Sequence, residues 1–182
     1  MAEGPVSLQR VLPELPAVAL LRVAAPATRY VLRGDAAVQA GAGEALGLRV
    51  PAEPCRAERA GERAALWLGP DEWLLLAPAA AGPTLGSALA AKLAGLPHSL
   101  VDVGHRQVGL AIEGGAGATL LAAGCPLDLH PDTFPVGMCT RTMLGKSEIT
   151  LWRVAPETFR LEVWRSFAAY VCGFLAESAR GI

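Results

Sequence analysis

A chain of 182 residues is long enough for one ordinary domain, or two small lobes, with a sizeable apolar interior. Apolar residues make up 52% and charged residues 18%, which excludes disorder driven by self-repulsion. The formal net charge of -1 removes both the basic footprint of a nucleic-acid binder and any strong pull to an anionic membrane surface.

Residues 1–20 read as an extended leader. Their weak apolar stretch toward Leu21 is interrupted by Pro13, Glu14 and Pro16, and no clear cleavage site follows. The longest apolar run, Trp73 to Ala81, is broken by Pro78 and falls far short of the ~20 residues of a membrane span. A cytoplasmic chain is expected. The remainder, 21–182, reads as a single compact domain of two lobes, about 21–98 and 99–182.

In chain order, an extended run over 28–34 meets Asp35, a fitting helix N-cap, and a small-residue helix follows to about Leu46. Leu66-Trp-Leu-Gly-Pro-Asp-Glu-Trp-Leu-Leu-Leu76 predicts a strand, a Pro-acidic turn and a returning strand. A helix carrying Leu85, Leu89, Leu93 and Leu96 comes next. The second half repeats this order. A strand over 107–114 leads into a Gly/Ala-rich helix with Leu120 and Leu121, and a hairpin turns at Ala155-Pro-Glu157. The last helix is expected over 167–178, capped by Ser166, with Phe167, Tyr170, Val171, Phe174 and Leu175 as its apolar face. Gly34 matches Gly114 and Pro51 matches Pro131, while Pro70 matches Pro156. The expected fold is therefore α+β, with two pseudo-repeated β-α-β-β-α lobes on antiparallel sheets.

The returning strand Trp73-Leu-Leu-Leu76 is apolar on both faces. It needs cover on both sides, as a central strand of the fold or by another chain.

Signals for chemistry are sparse. The four cysteines, at 55, 125, 139 and 172, form no C-x-x-C pair and have no matched His spacing, so reduced, partly buried thiols are expected rather than a zinc or redox site. Gly114-Gly-Ala-Gly117 and Gly41-Ala-Gly43 lack the G-x-G-x-x-G spacing of a dinucleotide loop. Asp102-Val-Gly-His105-Arg-Gln107 is the most concentrated polar cluster. Asp102 could orient His105 as a base, but a tight turn favours the same residues for backbone reasons, and His105 is also a candidate partner contact. Arg141, and the pair Trp164 and Arg165, set arginines among apolar residues near strand ends. That combination is enriched at protein interfaces, so these three are candidate partner contacts as well.

Val101-Asp-Val-Gly-His105, Ala122-Ala-Gly-Cys-Pro-Leu-Asp-Leu-His-Pro131, Phe134-Pro-Val-Gly-Met-Cys-Thr-Arg-Thr142 and Phe159-Arg-Leu-Glu-Val-Trp-Arg-Ser166 together resemble the gamma subunit of heterotetrameric sarcosine oxidase. Leu68-Gly-Pro-Asp-Glu-Trp-Leu-Leu-Leu76 resembles it too, and the likeness runs roughly from Leu15 to Glu177. In a wider circle the chain is similar to the amino-terminal part of the glycine-cleavage aminomethyltransferase. Those relatives carry a Gly-Gly turn and an acidic pair that contacts folate, where this chain has Gly145-Lys-Ser-Glu148. Trp164 stands where they have Asn, and no folate pocket is carried over.

The resemblance implies an accessory subunit in a complex that oxidatively demethylates sarcosine to glycine, with alpha, beta and delta chains as partners. FAD, FMN, NAD, tetrahydrofolate and zinc would sit on those partners. No catalytic, cofactor or metal residue is expected on this chain. The alternative is a free-standing, folate-dependent aminomethyl transferase.

Overall fold

The computed structural model describes residues 19–182. The expected leader therefore lies outside the described residues but for its last two positions. The elements run β1 (Leu20–Val23), β2 (Ala27–Gly34), α1 (Ala36–Leu46), β3 (Ala57–Ala60), β4 (Arg63–Gly69), β5 (Glu72–Pro78), α2 (Gly82–Lys92), β6 (His98–Asp102), β7 (Gln107–Glu113), α3 (Gly117–Ala122), β8 (Cys139–Leu144), β9 (Ser147–Ala155), β10 (Thr158–Trp164) and α4 (Ala168–Ala179). Single 3₁₀ turns at Ala79–Ala81 and Arg165–Phe167 precede α2 and α4.

Two five-stranded sheets result, ordered β3-β4-β5-β2-β6 and β8-β9-β10-β7-β1. The orders correspond strand for strand. In each, a hairpin pairs through its returning strand with the strand that precedes the first helix, and a short edge strand closes the sheet. Pro70 lies in the β4–β5 turn and Pro156 in the β9–β10 turn, at corresponding places. Each sheet also gains a strand ahead of the hairpin, β3 or β8, beyond the expected β-α-β-β-α order. Only the edge strand departs from a simple repeat: β6 follows its hairpin in sequence, whereas β1 precedes β7.

The chain divides into two compact units, one of 25–107 with 137–140, the other of residues up to 24 with 108–136 and 141–182. A lobe boundary at 98/99 would separate β6 from its partner. β6 instead completes the first sheet by pairing with β2, Leu32 opposite Leu100 and Val31 opposite Val101, which satisfies the ladder groups along that edge of β2.

In the unit of 25–107, Asp35 accepts hydrogen bonds from the Ala37 and Val38 amides at 3.0 and 3.1 Å. This satisfies two of the donors orphaned at the start of α1. Gly47 ends the helix at φ 71°, a left-handed conformation that glycine adopts without a Cβ penalty. Val38, Ala42 and Leu46 of α1 and Leu85 and Leu89 of α2 pack with Leu32, Trp73 and Leu75 of the sheet. Trp73 to Ala77 are all at most 2% exposed. The doubly apolar strand is thus the central strand of its sheet, and this chain covers both of its faces.

In the other unit the core takes Leu110, Ile112, Leu120, Phe134, Leu151, Phe159, Leu161 and Val171. Two expectations for the last helix fail here. Ser166 lies inside the 3₁₀ turn, and α4 begins after Phe167 with no side-chain cap. Its buried face is Ala168, Val171, Cys172, Leu175 and Ala179, while Phe167 and Tyr170 are 43% and 37% exposed. The 3₁₀ turn shifts the start of the helix, and the small residues allow the close approach that the aromatic ones would block. Among the described residues, no helix is long and apolar enough to cross a membrane.

Candidate functional site

β6 ends at Asp102, and the chain turns over 103–106 into β7. The Asp102 carboxylate accepts from the Gly104 amide at 2.8 Å. The Arg106 and Gln107 amides return to the carbonyl of Val103 at 3.0 and 3.2 Å. Asp102 therefore shapes a turn. His105 is exposed, and no hydrogen bond joins it to Asp102 among the described residues.

Arg141 is an exposed residue of β8, two strands away from β10 in the sheet. Trp164 is the last residue of β10 and is 43% exposed. Arg165 is exposed and opens the 3₁₀ turn. Phe167 and Tyr170, close by in sequence, are exposed as well, and the Tyr170 ring lies 6.3 Å from that of Phe174. These residues belong to one unit and His105 to the other. Within its unit the structure thus exposes, along with Trp164 and Arg165, two aromatics that sequence periodicity had assigned to the core.

Gly145 and Lys146 form the β8–β9 turn, and Ser147 and Glu148 begin β9. The Lys146 amide donates to the Tyr170 hydroxyl at 3.0 Å. A Cβ at Gly145, whose φ is 59°, would collide with that hydroxyl and lie 3.4 Å from the Phe174 ring. Aromatic side chains of α4 thus occupy one face of this turn.

The glycine clusters serve packing. A Cβ at Gly117 would meet Ile112 and Phe159 at 3.3 and 3.4 Å, and one at Gly41 would meet the Lys92 carbonyl oxygen at 3.2 Å. Among the described residues, no group of three His, Cys, Asp or Glu side chains could hold a metal ion. All four cysteines are free; Cys125, Cys139 and Cys172 are buried and Cys55 is half-buried. Burial pushes the Cys139 thiol up to about 12 and the Cys172 thiol up to about 11, far from thiolate reactivity.

Sequence reasoning passed over Arg153. It sits in the apolar strand β9, is 3% exposed, and borders a groove of about 530 Å³ formed with α3 and the loop around Leu129.

Two antiparallel sheets, each holding its hairpin against a strand–helix step, define an aminomethyltransferase-like α+β chain. A solved glycine cleavage system aminomethyltransferase T from Bartonella henselae shares this fold at a TM-score of 0.68, over 94% of this chain and 49% of that one, at 15% identity. The chain belongs to the sarcosine oxidase gamma subunit family, whose model matches residues 33–180. It is 35% identical over 143 residues to the sarcosine oxidase subunit gamma of Arthrobacter sp., covering 77% of this chain and 70% of that one. It is 33% identical over 115 residues to the subunit gamma of Corynebacterium sp. strain P-1, covering 63% and 56%. A chain of the heterotetrameric sarcosine oxidase from Corynebacterium sp. U-96, solved in complex with pyrrole 2-carboxylate, superposes at a TM-score of 0.85 over 95% of this chain and 89% of that one, at 29% identity.

Proposed function

We propose that this chain is the accessory gamma subunit of a heterotetrameric sarcosine oxidase, which demethylates sarcosine oxidatively to glycine in the cytoplasm. Its role is assembly. Alpha, beta and delta chains are its partners, and FAD, FMN, NAD, tetrahydrofolate and zinc reside on them. The observation that carries this reading is the family match over residues 33–180, joined to a fold that superposes on a heterotetrameric oxidase chain over nearly its whole length.

Trp164, Arg165 and Arg141, with His105 on the other unit, are the contacts assigned to those partners. An exposed Trp beside an Arg gives planar apolar area and a fork for carboxylates, the residue types that anchor interfaces. Because this chain itself covers both faces of β5, the interface falls to these surface residues and not to the greasy strand. Co-expression with the cognate alpha and beta chains tests the reading. A tagged copy of this chain should bring both down in stoichiometric amount, and recovery of this chain by itself would refute it.

A further inference from the structure

Arg153 stands opposite Phe159 in the β9–β10 register, with its guanidinium carbon 4.7 Å from the ring centroid. Its Nη2 donates to the Leu129 carbonyl at 3.0 Å, while Nε is buried without an acceptor. No carboxylate pairs with it among the described residues. Burial lowers its pKa from the ordinary value, yet an arginine keeps its proton in proteins. A whole positive charge is therefore held almost out of water by one neutral carbonyl and a ring face, which supplies a quadrupole and no counter-charge. Such a charge is costly unless an anion meets it, and a guanidinium fork suits a carboxylate.

The groove that Arg153 borders is also lined by Asp128 and Glu157. Asp128 is exposed; its carboxylate accepts from the His130 amide at 2.9 Å and from the Thr133 hydroxyl at 3.0 Å. Two carboxylates on the lining repel a phosphate or sulfate and would attract a cationic group. We propose that this groove binds a small α-amino acid as its zwitterion, the carboxylate on Arg153 and the ammonium toward Asp128 and Glu157. The site is independent of the assembly role and stands or falls separately from it.

Saturation-transfer NMR on the full chain, with glycine, acetate and methylamine as separate probes, tests the proposal. Glycine should bind with a Kd of roughly 1 mM, and acetate and methylamine about tenfold more weakly or worse. Arg153→Met should abolish the glycine signal. Asp128→Asn, on the exposed rim, should bring glycine down to the level of acetate, and this comparison decides the matter if Arg153→Met fails to fold. Absence of a glycine signal, equal binding of glycine and acetate by the unaltered chain, or undiminished glycine binding in either folded variant overturns the proposal.

Discussion

The indole N–H of Trp73 donates to the carbonyl of Pro51 at 2.7 Å, and both residues are buried. This bond ties the start of the central strand β5 to the segment that follows α1. Trp73→Phe removes the donor, leaves a buried carbonyl unpaired and opens a small cavity. The expected loss is about 2 kcal/mol of folding stability, read as a lower urea midpoint at unchanged slope.

The thiols predict an alkaline limit. An unfolded cysteine ionises near pH 8.5, whereas Cys139 in the fold holds its proton to about 12 and Cys172 to about 11. Their contribution is complete below the unfolded value and falls as pH rises from there through the folded values, because the unfolded chain then binds fewer protons. Stability should decline above about pH 9, and Cys139→Ala should flatten that decline. At pH 8 in the native state, Cys55, the half-buried thiol, should react with a thiol reagent well ahead of the three buried ones.

His105→Ala should change turnover of the assembled oxidase by less than about tenfold, where loss of a general base typically costs ~10²–10⁴. Asp102 is committed to the Gly104 amide, so it does not orient the imidazole. Turnover and complex mass measured on one preparation separate the outcomes, and a fully assembled but inactive complex would make His105 catalytic.

Trp164→Ala should weaken assembly more than it weakens the fold. The side chain is 43% exposed, so truncation removes only part of its packing within this chain, whereas a buried interface anchor commonly costs ~2 kcal/mol or more of binding. A small fall in melting temperature for the isolated chain, with much earlier dissociation of the complex on dilution, is the expected result.

Much of the fold was legible because its punctuation is chemical. Asp35 announces α1 through its capping oxygen, and the Pro70 and Pro156 turns mark the hairpins. Features decided by distant partners were not legible. β6 joins the first sheet because β2 offers it an edge, and strands β3 and β8 have too little apolar alternation to stand out. The exposed Phe167 and Tyr170 match a helical stripe perfectly well; only the 3₁₀ turn and the small residues of α4 reveal that another face is buried. Arg153 reads as an ordinary charge in the string Trp152-Arg-Val154, and only its position opposite Phe159 discloses that it is buried. The candidate contacts Trp164 and Arg165 were legible as residue types, but not the exposure of Phe167 and Tyr170 that follow them.

If this chain contributes assembly, reconstituting the oxidase with and without it shows that directly. The other subunits of the oxidase are expressed together, and sarcosine turnover and particle mass are measured before and after this chain is added. Without it the particles should be incomplete and poorly active, and they should gain both mass and turnover when it is supplied. A fully active oxidase whose mass and turnover do not change when this chain is added would rule out an assembly role.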